Sequence, residues 1–442
     1  MPIDGRKRSL TLFASLLLSF SSGVEAGVLG SLCSKGLDTH PRIKSSILKM
    51  KSKDYLYDQG IDRYKPQLTI TAEGGYEKYK YEYEVGDKWT SNHYYDYGIT
   101  ITQTIYNYQL LKQIDDYALQ RRLAAVQTED EKARLVTQIS LTSIELIRLA
   151  QIREFARKKK DLYQKAYEQI VSKSNMKFAS GVEVAQAKAR LTKSVGEYSR
   201  LDQMYRFTMN NLKFLTNLDK IPRSLTRKRF RASAVARYFR ASELKKHMGR
   251  VDNNTKVRIY KMYSEIARNM ISVRKAERYP TVGLRARYGD GDYGNRLERV
   301  NDTTVVLQVT APIYQGGYVT DRVNEAQVLY YSSVQDLEDS RLESKVSLEK
   351  NWEQIQTGLR TLEALKSAEE AGKKYYEASV EAYKNGIQSL TDTYLANIDY
   401  YDSKAQRVNE EADLLSAIVN LYYAVGIAKP ATLDRFEKRY LR

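Results

Sequence analysis

The stretch "TAPIYQGGYVTDRV", residues 310–323, marks an abrupt change in the local pattern of the chain. In residues 304–311, apolar and polar side chains alternate with period two, although Val306 breaks the polar side, and this pattern predicts a strand with one apolar face. A long charged segment without proline follows and favours a helix. Pro312 suits the end of the strand because proline cannot donate to a sheet ladder, and Gly316 and Gly317 permit a tight turn of the backbone. The sequence therefore predicts a strand-to-helix junction here.

An earlier stretch, "TQTIYNYQLLKQI" (residues 102–114), has nearly the same pattern, which indicates an internal duplication. Two further pairs of segments resemble each other: "DRYKPQLTITAEGGY" (62–76) with "AERYPTVGLRARYG" (276–289), and "KFASGVEVAQA" (177–187) with "AYKNGIQSLTD" (382–392). The last pair aligns Gly181 with Gly386. We interpret both glycines as breaks between two long helices.

Each repeat is predicted to contain a short helix, two strands and two long helices. Residues 107–178 contain neither proline nor glycine, and a helix of about 70 residues would be roughly 105 Å long. Helices of this length must pack as coiled coils, because intrinsic propensity alone does not hold them. The first repeat is predicted at 27–219, with strands at about 67–84 and 93–104 and helices at about 107–217. The second repeat is predicted at 262–426, with strands at about 280–288 and 302–311 and helices at about 315–424. The predicted polar loops between the strands are "EVGDKWTSN" and "GDGDYGNRLERVND".

Both ends of the chain fall outside the repeats. Residues 1–26 are predicted to be a secretory signal peptide, with a basic start, an apolar core and a small-x-small end at Val24-Glu25-Ala26. Residues 427–442 are predicted to be a C-terminal tail. Cys33 is the single cysteine, so no intrachain disulfide can form. Its lipidation is left open, although Leu32 is larger than the residue that normally precedes a lipidated cysteine.

The net charge of +18 is concentrated between the repeats. The segment from Lys220 to Lys261 carries fourteen lysines and arginines against two acids. Because the chain is predicted to be exported, we expect this basic inter-repeat segment (220–261) to contact an acidic protein surface, an anionic envelope polymer or lipid head groups rather than nucleic acid. A solvated basic linker is the alternative.

Four strands with one apolar face cannot close a membrane barrel on their own, since bacterial barrels begin at about eight strands. Open sheet edges are not tolerated in lipid, whereas three copies of the chain would supply twelve strands. Seven tyrosines crowd the first hairpin as an aromatic girdle would: Tyr76, Tyr79, Tyr81, Tyr83, Tyr94, Tyr95 and Tyr97.

"AERYPTVGL", "PIYQGG" before a long helix and Tyr-x-x-Gly at a late helical break, in this repeated order, resemble the TolC-like outer-membrane efflux proteins. The resemblance runs from about His40 to Gly426, and "TIYNYQ" in the first repeat lacks the proline and the two glycines. It implies an α+β membrane protein that forms a homotrimer, with a 12-stranded β-barrel on an α-helical coiled-coil tunnel. It also implies that Tyr314 anchors the junction at the membrane interface and that the basic segment forms an equatorial belt around the tunnel.

The resemblance further implies a gate at the periplasmic aperture. An acid six residues after the late glycine lines the family's aperture and matches Asp392, and Tyr383 matches a tyrosine of the hydrogen-bond network that constricts it. Leu395 and Gln388 replace a second acid and an arginine of that family pattern, and Ala187 stands where the first repeat would need an acid. We therefore expect a simplified gate with one ring of three Asp392 carboxylates, which would favour cations. The alternative is that Asp392 is an ordinary exposed helical acid.

No catalytic pattern is recognisable in the sequence. His40, His93 and His247 lie far apart, and no phosphate-binding loop or paired cysteines occur. "GDGDYGN" (289–295) lacks the twelfth-position glutamate of a calcium-binding loop and is predicted to be a hairpin loop. The sequence therefore predicts no enzyme, no cofactor and no metal site.

These expectations combine into a passive exit duct of a tripartite efflux or type I secretion system. It would sit in the outer membrane, contact its lipid and extend into the periplasm. Its partners would be an inner-membrane transporter and a periplasmic adaptor protein, with no nucleic acid. The alternative, a periplasmic coiled-coil adaptor or scaffold, explains the long helices but not the duplicated hairpins. The sequence does not indicate the cargo.

Overall fold

The computed structural model describes residues 27–239, 244–292 and 299–442, so the predicted signal peptide lies outside the described residues. The first repeat contains α1 (Val28–Thr39), α2 (Pro41–Asp62), β1 (Gln67–Tyr83), β2 (Gly86–Asn107), α3 (Tyr108–Asn175) and α4 (Gly181–Thr216). The connecting region contains α5 (Arg223–Arg227), α6 (Leu244–Met248) and two short 3-10 helices (Ala232–Arg237 and Val251–Asn253). The second repeat contains α7 (Thr255–Ala276), β3 (Thr281–Asp292), β4 (Val300–Thr310), α8 (Tyr318–Lys384) and α9 (Leu390–Ala424), and α10 (Pro430–Tyr440) follows. The predicted α+β architecture of two tandem repeats is confirmed.

The four strands form one antiparallel sheet in the order β1-β2-β3-β4. The pairing of β2 with β3 joins the two repeats within that sheet. The first hairpin is longer than predicted, because β2 begins at Gly86 and takes up most of the stretch that was expected to be a polar loop. Residues 289–292, expected to be loop, also belong to a strand. In both places a neighbouring strand supplies backbone partners, and this pairing overrides the local polar composition.

The two longest helices run the length of the helical part. With 68 residues in α3 and 67 in α8, each is about 100 Å long at 1.5 Å per residue. α3 packs along α4, and α8 packs along α9, while α3 and α9 bring the two pairs together. The helices are thus held by tertiary packing along their whole length, as the length argument predicted.

Two helices at the ends of the chain were not predicted, α1 and α10. They pack against each other and complete an apolar core around the middle of α3 and the C-terminal half of α9. Ile139 and Ile418 are fully buried there. The predicted tail (427–442) is therefore part of the core. The basic inter-repeat segment packs on the same end of the chain, through a β-bridge between Phe230 and Leu441 and a Lys228–Glu437 ion pair of 3.0 Å.

Cys33 lies on the buried face of α1. Its Sγ is 3.9 Å from the Val136 carbonyl oxygen and 3.9 Å from the Ser140 hydroxyl. Burial raises the pKa of the Cys33 thiol to about 12. An acyl chain on this sulfur would have no room in the core, so the packing favours a free thiol.

Within the described residues, no helix has both the length and the apolar character needed to cross a bilayer.

Candidate functional site

One face of the sheet is apolar and exposed. The cross-strand pairs Leu68–Ile101, Ile70–Ile99 and Leu284–Leu307 place branched aliphatic side chains on this face. Five aliphatic side chains of the two edge strands are 62–72% exposed: Leu68, Ile70, Val305, Leu307 and Val309. A contiguous exposed apolar surface of this kind marks a site that contacts lipid or another protein.

The opposite face of the sheet is polar. Arg287 donates to both carboxylate oxygens of Asp96, at 2.8 and 2.7 Å, and forms an ion pair of 3.5 Å with Asp302. These residues come from β2, β3 and β4. The sheet thus presents apolar groups on one side and a cross-strand ionic network on the other.

The two repeats join their sheet to their long helices in different ways. In the first repeat, a β-bulge at Thr104/Tyr106 precedes Asn107, whose side chain caps α3 by accepting from the Leu110 N–H at 2.9 Å. The Tyr64 hydroxyl donates to the Asn107 carbonyl oxygen at 2.6 Å. β2 therefore continues into α3 without a linker.

In the second repeat, residues 311–317 form an irregular linker between β4 and α8. Gly316 and Gly317 have φ angles of +60° and +86°, which are unfavourable for residues with a Cβ atom. Pro312 lies two residues after Thr310, the last strand residue, and Tyr314 is 87% exposed. The predicted strand end and turn thus lie where the proline and glycines indicated.

At the far end of the helices, each helical pair closes in a tight tip. In the second repeat, Gly386 (φ +73°) directly follows the C-cap of α8. In the first repeat, the left-handed position is occupied by Lys177 (φ +64°), and Gly181 is already the first residue of α4. Pairing Gly181 with Gly386 was therefore wrong by four residues. The backbone equivalent of Gly386 is Lys177.

This correction reveals an acid that the sequence comparison missed. Six residues after Lys177 lies Glu183, at the position that Asp392 has relative to Gly386. Ser180 and Glu183 form a capping box, in which Glu183 Oε2 accepts from the Ser180 N–H at 2.7 Å. The Ser389 hydroxyl lies 2.7 Å from Asp392 Oδ2 and accepts from the Asp392 N–H at 3.2 Å. Each tip thus starts its second helix with a serine and an acid.

Both acids are exposed near the tips. Hydrogen bonds from the backbone and side chain of Ser180 lower the pKa of Glu183 and so favour its ionised form. Tyr383, on the last turn of α8, is 42% exposed. Within the described part of the chain, its hydroxyl has no hydrogen-bond partner. The predicted aperture residues Asp392 and Tyr383 thus belong to the same tip, on opposite sides of its turn.

Polar links connect the two helical pairs above the tips. The Lys159 ammonium on α3 lies 2.6 Å from Asp402 Oδ1 on α9 and 3.4 Å from Glu197 Oε2 on α4. Lys159 is buried. Burial lowers its pKa, but the hydrogen bonds and charges of the two carboxylates outweigh that effect and leave the pKa raised. We call this group the Lys159 link. Arg148 also donates to Asn409 Oδ1 at 2.7 Å.

Among the described residues, no group of histidine, cysteine and acidic side chains is arranged to hold a metal ion.

The comparisons with known proteins agree with this architecture. Residues 251–427 match the family model of the outer membrane efflux proteins. Over 428 residues, which are 95% of each chain, the sequence is 21% identical to outer membrane protein TolC of Vibrio cholerae. The chain is similar to the TolC-like outer-membrane efflux proteins, and the match to their family model lies in its second repeat. The resemblance drawn from the repeated motifs is therefore confirmed.

Two further comparisons place this TolC-like chain among its relatives. It is 23% identical over 180 residues to the proteases secretion protein PrtF of Dickeya chrysanthemi, covering 40% of this chain and 39% of that one. The CmeC outer membrane channel of Campylobacter jejuni has the same fold, with a TM-score of 0.74 and 13% identity, over 93% of this chain and 89% of that one. The likeness in fold thus extends over nearly the whole chain.

Proposed function

We propose that this protein is the outer-membrane exit duct of a tripartite efflux or type I secretion system and carries cargo passively across the periplasm and outer membrane. The observation that carries the proposal is the exposed apolar sheet face at one end of helices that are about 100 Å long. Strands of 11 to 22 residues reach the length of about 9–11 residues that a membrane-spanning strand needs. A protein with this shape can stand in a membrane and reach far from it.

The sheet edges favour a trimer. Within the described residues, β1 pairs only with β2 and β4 only with β3, so each outer edge has unpaired backbone groups. Such edges seek partners, and in lipid they must be paired. Pairing of β4 with β1 of the next copy, repeated three times, gives a closed barrel of twelve strands. Tyr314 would then lie at the periplasmic membrane interface.

The remaining partners follow from the exit-duct role. A passive duct needs an energised inner-membrane transporter and a periplasmic adaptor, and the names of relatives include both efflux and protease secretion. The tips of the helices would meet these partners. The relatives are named as outer membrane proteins, so the protein is proposed to be a channel and not an enzyme.

The tips are proposed to form the periplasmic aperture. Glu183 is added to Asp392, so each subunit contributes two exposed carboxylates and a trimer contributes six. This replaces the single ring expected from the sequence. Like charges gathered in a narrow opening favour cations over anions. Tyr383, Gly386 and the turn at Lys177 would shape the opening.

Fractionation of the envelope and measurement of the native mass test the proposal. The mature protein is extracted from the membrane fraction with mild detergent, and its mass is determined by light scattering with the detergent contribution removed. Three chains per particle from the outer-membrane fraction are expected. A monomer or dimer released without detergent would refute the duct and favour the periplasmic scaffold.

Conductance in planar bilayers tests the aperture. Asp392→Asn and Glu183→Gln are each expected to lower the ratio of cation to anion permeability, measured as the reversal potential under a KCl gradient. Glu363→Gln, an exposed acid in the middle of α8, is the matched control and is expected to leave the ratio unchanged. Equal effects of all three variants would show that the tips do not form the selective opening.

A further inference from the structure

A cavity of about 440 Å³ lies where the basic inter-repeat segment meets the end of α9 and helix α10. Four cationic side chains line it: Arg250, Lys429, Arg435 and Arg439. Its described lining contains no aspartate or glutamate. Within the described chain, none of these four cations forms a salt bridge. The cavity therefore concentrates positive charge that the described chain does not neutralise.

One acid of the same helix is engaged elsewhere. Glu437, on the opposite face of α10, accepts from the Leu29 N–H at 2.7 Å and pairs with Lys228 at 3.0 Å. This buried carboxylate holds α10 against α1. Arg435 and Arg439 line the cavity instead. Arg435 Nε donates to the Ala431 carbonyl oxygen at 3.4 Å, but neither guanidinium forms a salt bridge within the described chain.

The cations lie over aromatic side chains. The Arg439 guanidinium is 4.4 Å from the ring centroid of Tyr238. Tyr422 lines the same cavity as Arg435 and Arg439. Burial raises the pKa of Tyr422, and the positive charges of Arg439 and Arg435 oppose that rise. Planar guanidinium groups bind carboxylates through two parallel hydrogen bonds, and aromatic walls accept apolar groups. The lining thus suits a ligand that carries both.

We propose that this cavity, the equatorial anion pocket, binds an acidic peptide segment of a partner protein. A single inorganic anion would fill little of 440 Å³, since a water molecule takes up about 30 Å³ in the liquid. Several carboxylates on a peptide would match several separate cations. This inference goes beyond the export role and does not depend on it, because a protein in any envelope compartment could use the pocket.

Binding of a fluorescein-labelled hexaglutamate peptide to the purified mature protein in detergent tests the pocket. Fluorescence anisotropy at low salt is expected to give saturable binding, and hexaglutamine is expected not to bind. Arg435→Gln and Arg439→Gln are each expected to weaken binding about tenfold, because hydrogen bonds between charged groups are strong. Lys438→Gln removes the same charge from the same helix, outside the pocket lining, and is expected to change the affinity less than about twofold.

Four results would overturn the inference. Equal weakening by Lys438→Gln would show that overall charge, and not the pocket, attracts the peptide. Competition by inorganic phosphate at concentrations that match the peptide would point to a simple anion. Saturable binding of hexaglutamine would show that the carboxylates are not recognised. A changed native mass in Arg435→Gln or Arg439→Gln would show that a second copy of this chain fills the pocket. Each result is independent of conductance and export.

Discussion

Replacement of Asp402 by asparagine tests whether the Lys159 link holds the two helical pairs together. The substitution keeps the size of the side chain but removes the charge that lies 2.6 Å from the ammonium of Lys159. Within the described chain, Glu197, at 3.4 Å, is then the one carboxylate within salt-bridge distance of the cation, and Asp399 acts on it from farther away. The Lys159 side chain is 10% exposed, so water reaches it poorly. We therefore expect the folded contact between α3 and α9 to weaken.

The size of the effect follows from the exposure of the partners. A hydrogen bond between charged groups contributes about 1.5–3 kcal/mol. Asp402 is 47% exposed, and screening by water reduces the loss to about 1.5–2 kcal/mol. Lys159→Met should cost less, about 1 kcal/mol or below, because it removes the buried charge and leaves two partly exposed carboxylates that water can solvate. We therefore expect the loss of the acid in Asp402→Asn to destabilise the contact more than the loss of the base in Lys159→Met, which is unusual for a salt bridge.

Hydrogen–deuterium exchange measured by mass spectrometry can resolve this order. Exchange reports the free energy of local opening, and 1.4 kcal/mol corresponds to a factor of ten. Backbone amides around Lys159 and Asp402 are expected to exchange about 10–30-fold faster in Asp402→Asn and less than about fivefold faster in Lys159→Met. Asp399→Asn is the control, because burial and the neighbouring Asp402 raise the pKa of Asp399 and its charge does not favour the folded state.

The stabilising contribution of the Lys159 link depends on pH in a defined direction. The pKa of Lys159 is raised in the folded protein, so its contribution is fully present at neutral pH and is lost only as the pH rises through the raised pKa. The protective effect of the link should thus persist up to the alkaline range. Faster exchange in Lys159→Met than in Asp402→Asn, or unchanged exchange in Asp402→Asn, would refute this account of the link.

Three other predictions concern separate parts of the chain. Cys33, with its pKa raised from 9.0 to about 12, should react with iodoacetamide at pH 8 roughly a thousand times more slowly than in the unfolded chain, because the thiolate is the nucleophile. Labelling at equal rates in the folded and unfolded chains would contradict the buried position. Gly386→Ala should destabilise its tip by about 1 kcal/mol, and Lys177→Gly should stabilise the other tip by about 0.5–1 kcal/mol, since a left-handed backbone disfavours a Cβ atom. Hydrogen–deuterium exchange of the backbone amides at the two tips measures both effects. Effects of the same sign at the two tips would contradict the assignment of Lys177 and Gly386 to equivalent left-handed positions. Leu307→Arg should reduce the yield of assembled protein in the outer membrane, because a charged side chain facing lipid destabilises the folded barrel by about 2–4 kcal/mol. Gln308→Arg, on the opposite face of the sheet, should leave the yield unchanged. Equal yields of the two variants would argue against the lipid-facing assignment.

The sequence predicted features that local chemistry determines. Pro312, Gly316 and Gly317 act within their own few residues, so the end of β4 and the turn before α8 could be placed without knowledge of the rest of the fold. The duplication was also detectable, because each copy repeats the same order of patterns. The two long helices of each repeat followed from the scarcity of breakers over long stretches.

Features that depend on distant partners were missed. The extension of β2 into a polar stretch requires β1 beside it, and α10 is stable because it packs on α1, some 400 residues earlier. The Lys159–Asp402 contact spans 243 positions, and nothing local marks either residue. Such contacts arise only when the chain has folded.

The position of the first tip was missed for a different reason. Gly181 was aligned with Gly386 because glycine is the usual residue at a left-handed position. In the structure, Lys177 adopts the left-handed conformation although it is not a glycine. A better signal was present in the sequence. A serine followed three residues later by an acid begins the second helix at both tips, at Ser180–Glu183 and at Ser389–Asp392, as is typical of a helix start.

The unequal junctions between sheet and helices have a mechanical consequence. β2 passes into α3 through a capped, hydrogen-bonded turn, so a rotation of α3 must twist the sheet with it. β4 passes into α8 through the irregular stretch at 311–317, where rotation about single bonds can absorb the same motion. Movement at the tips of the second helical pair can therefore proceed without distorting the strands, whereas the first pair is stiffly coupled to them. The two copies of the repeated unit thus differ in this respect: the first helical pair is rigidly joined to the sheet, and the second is joined to it through a flexible linker.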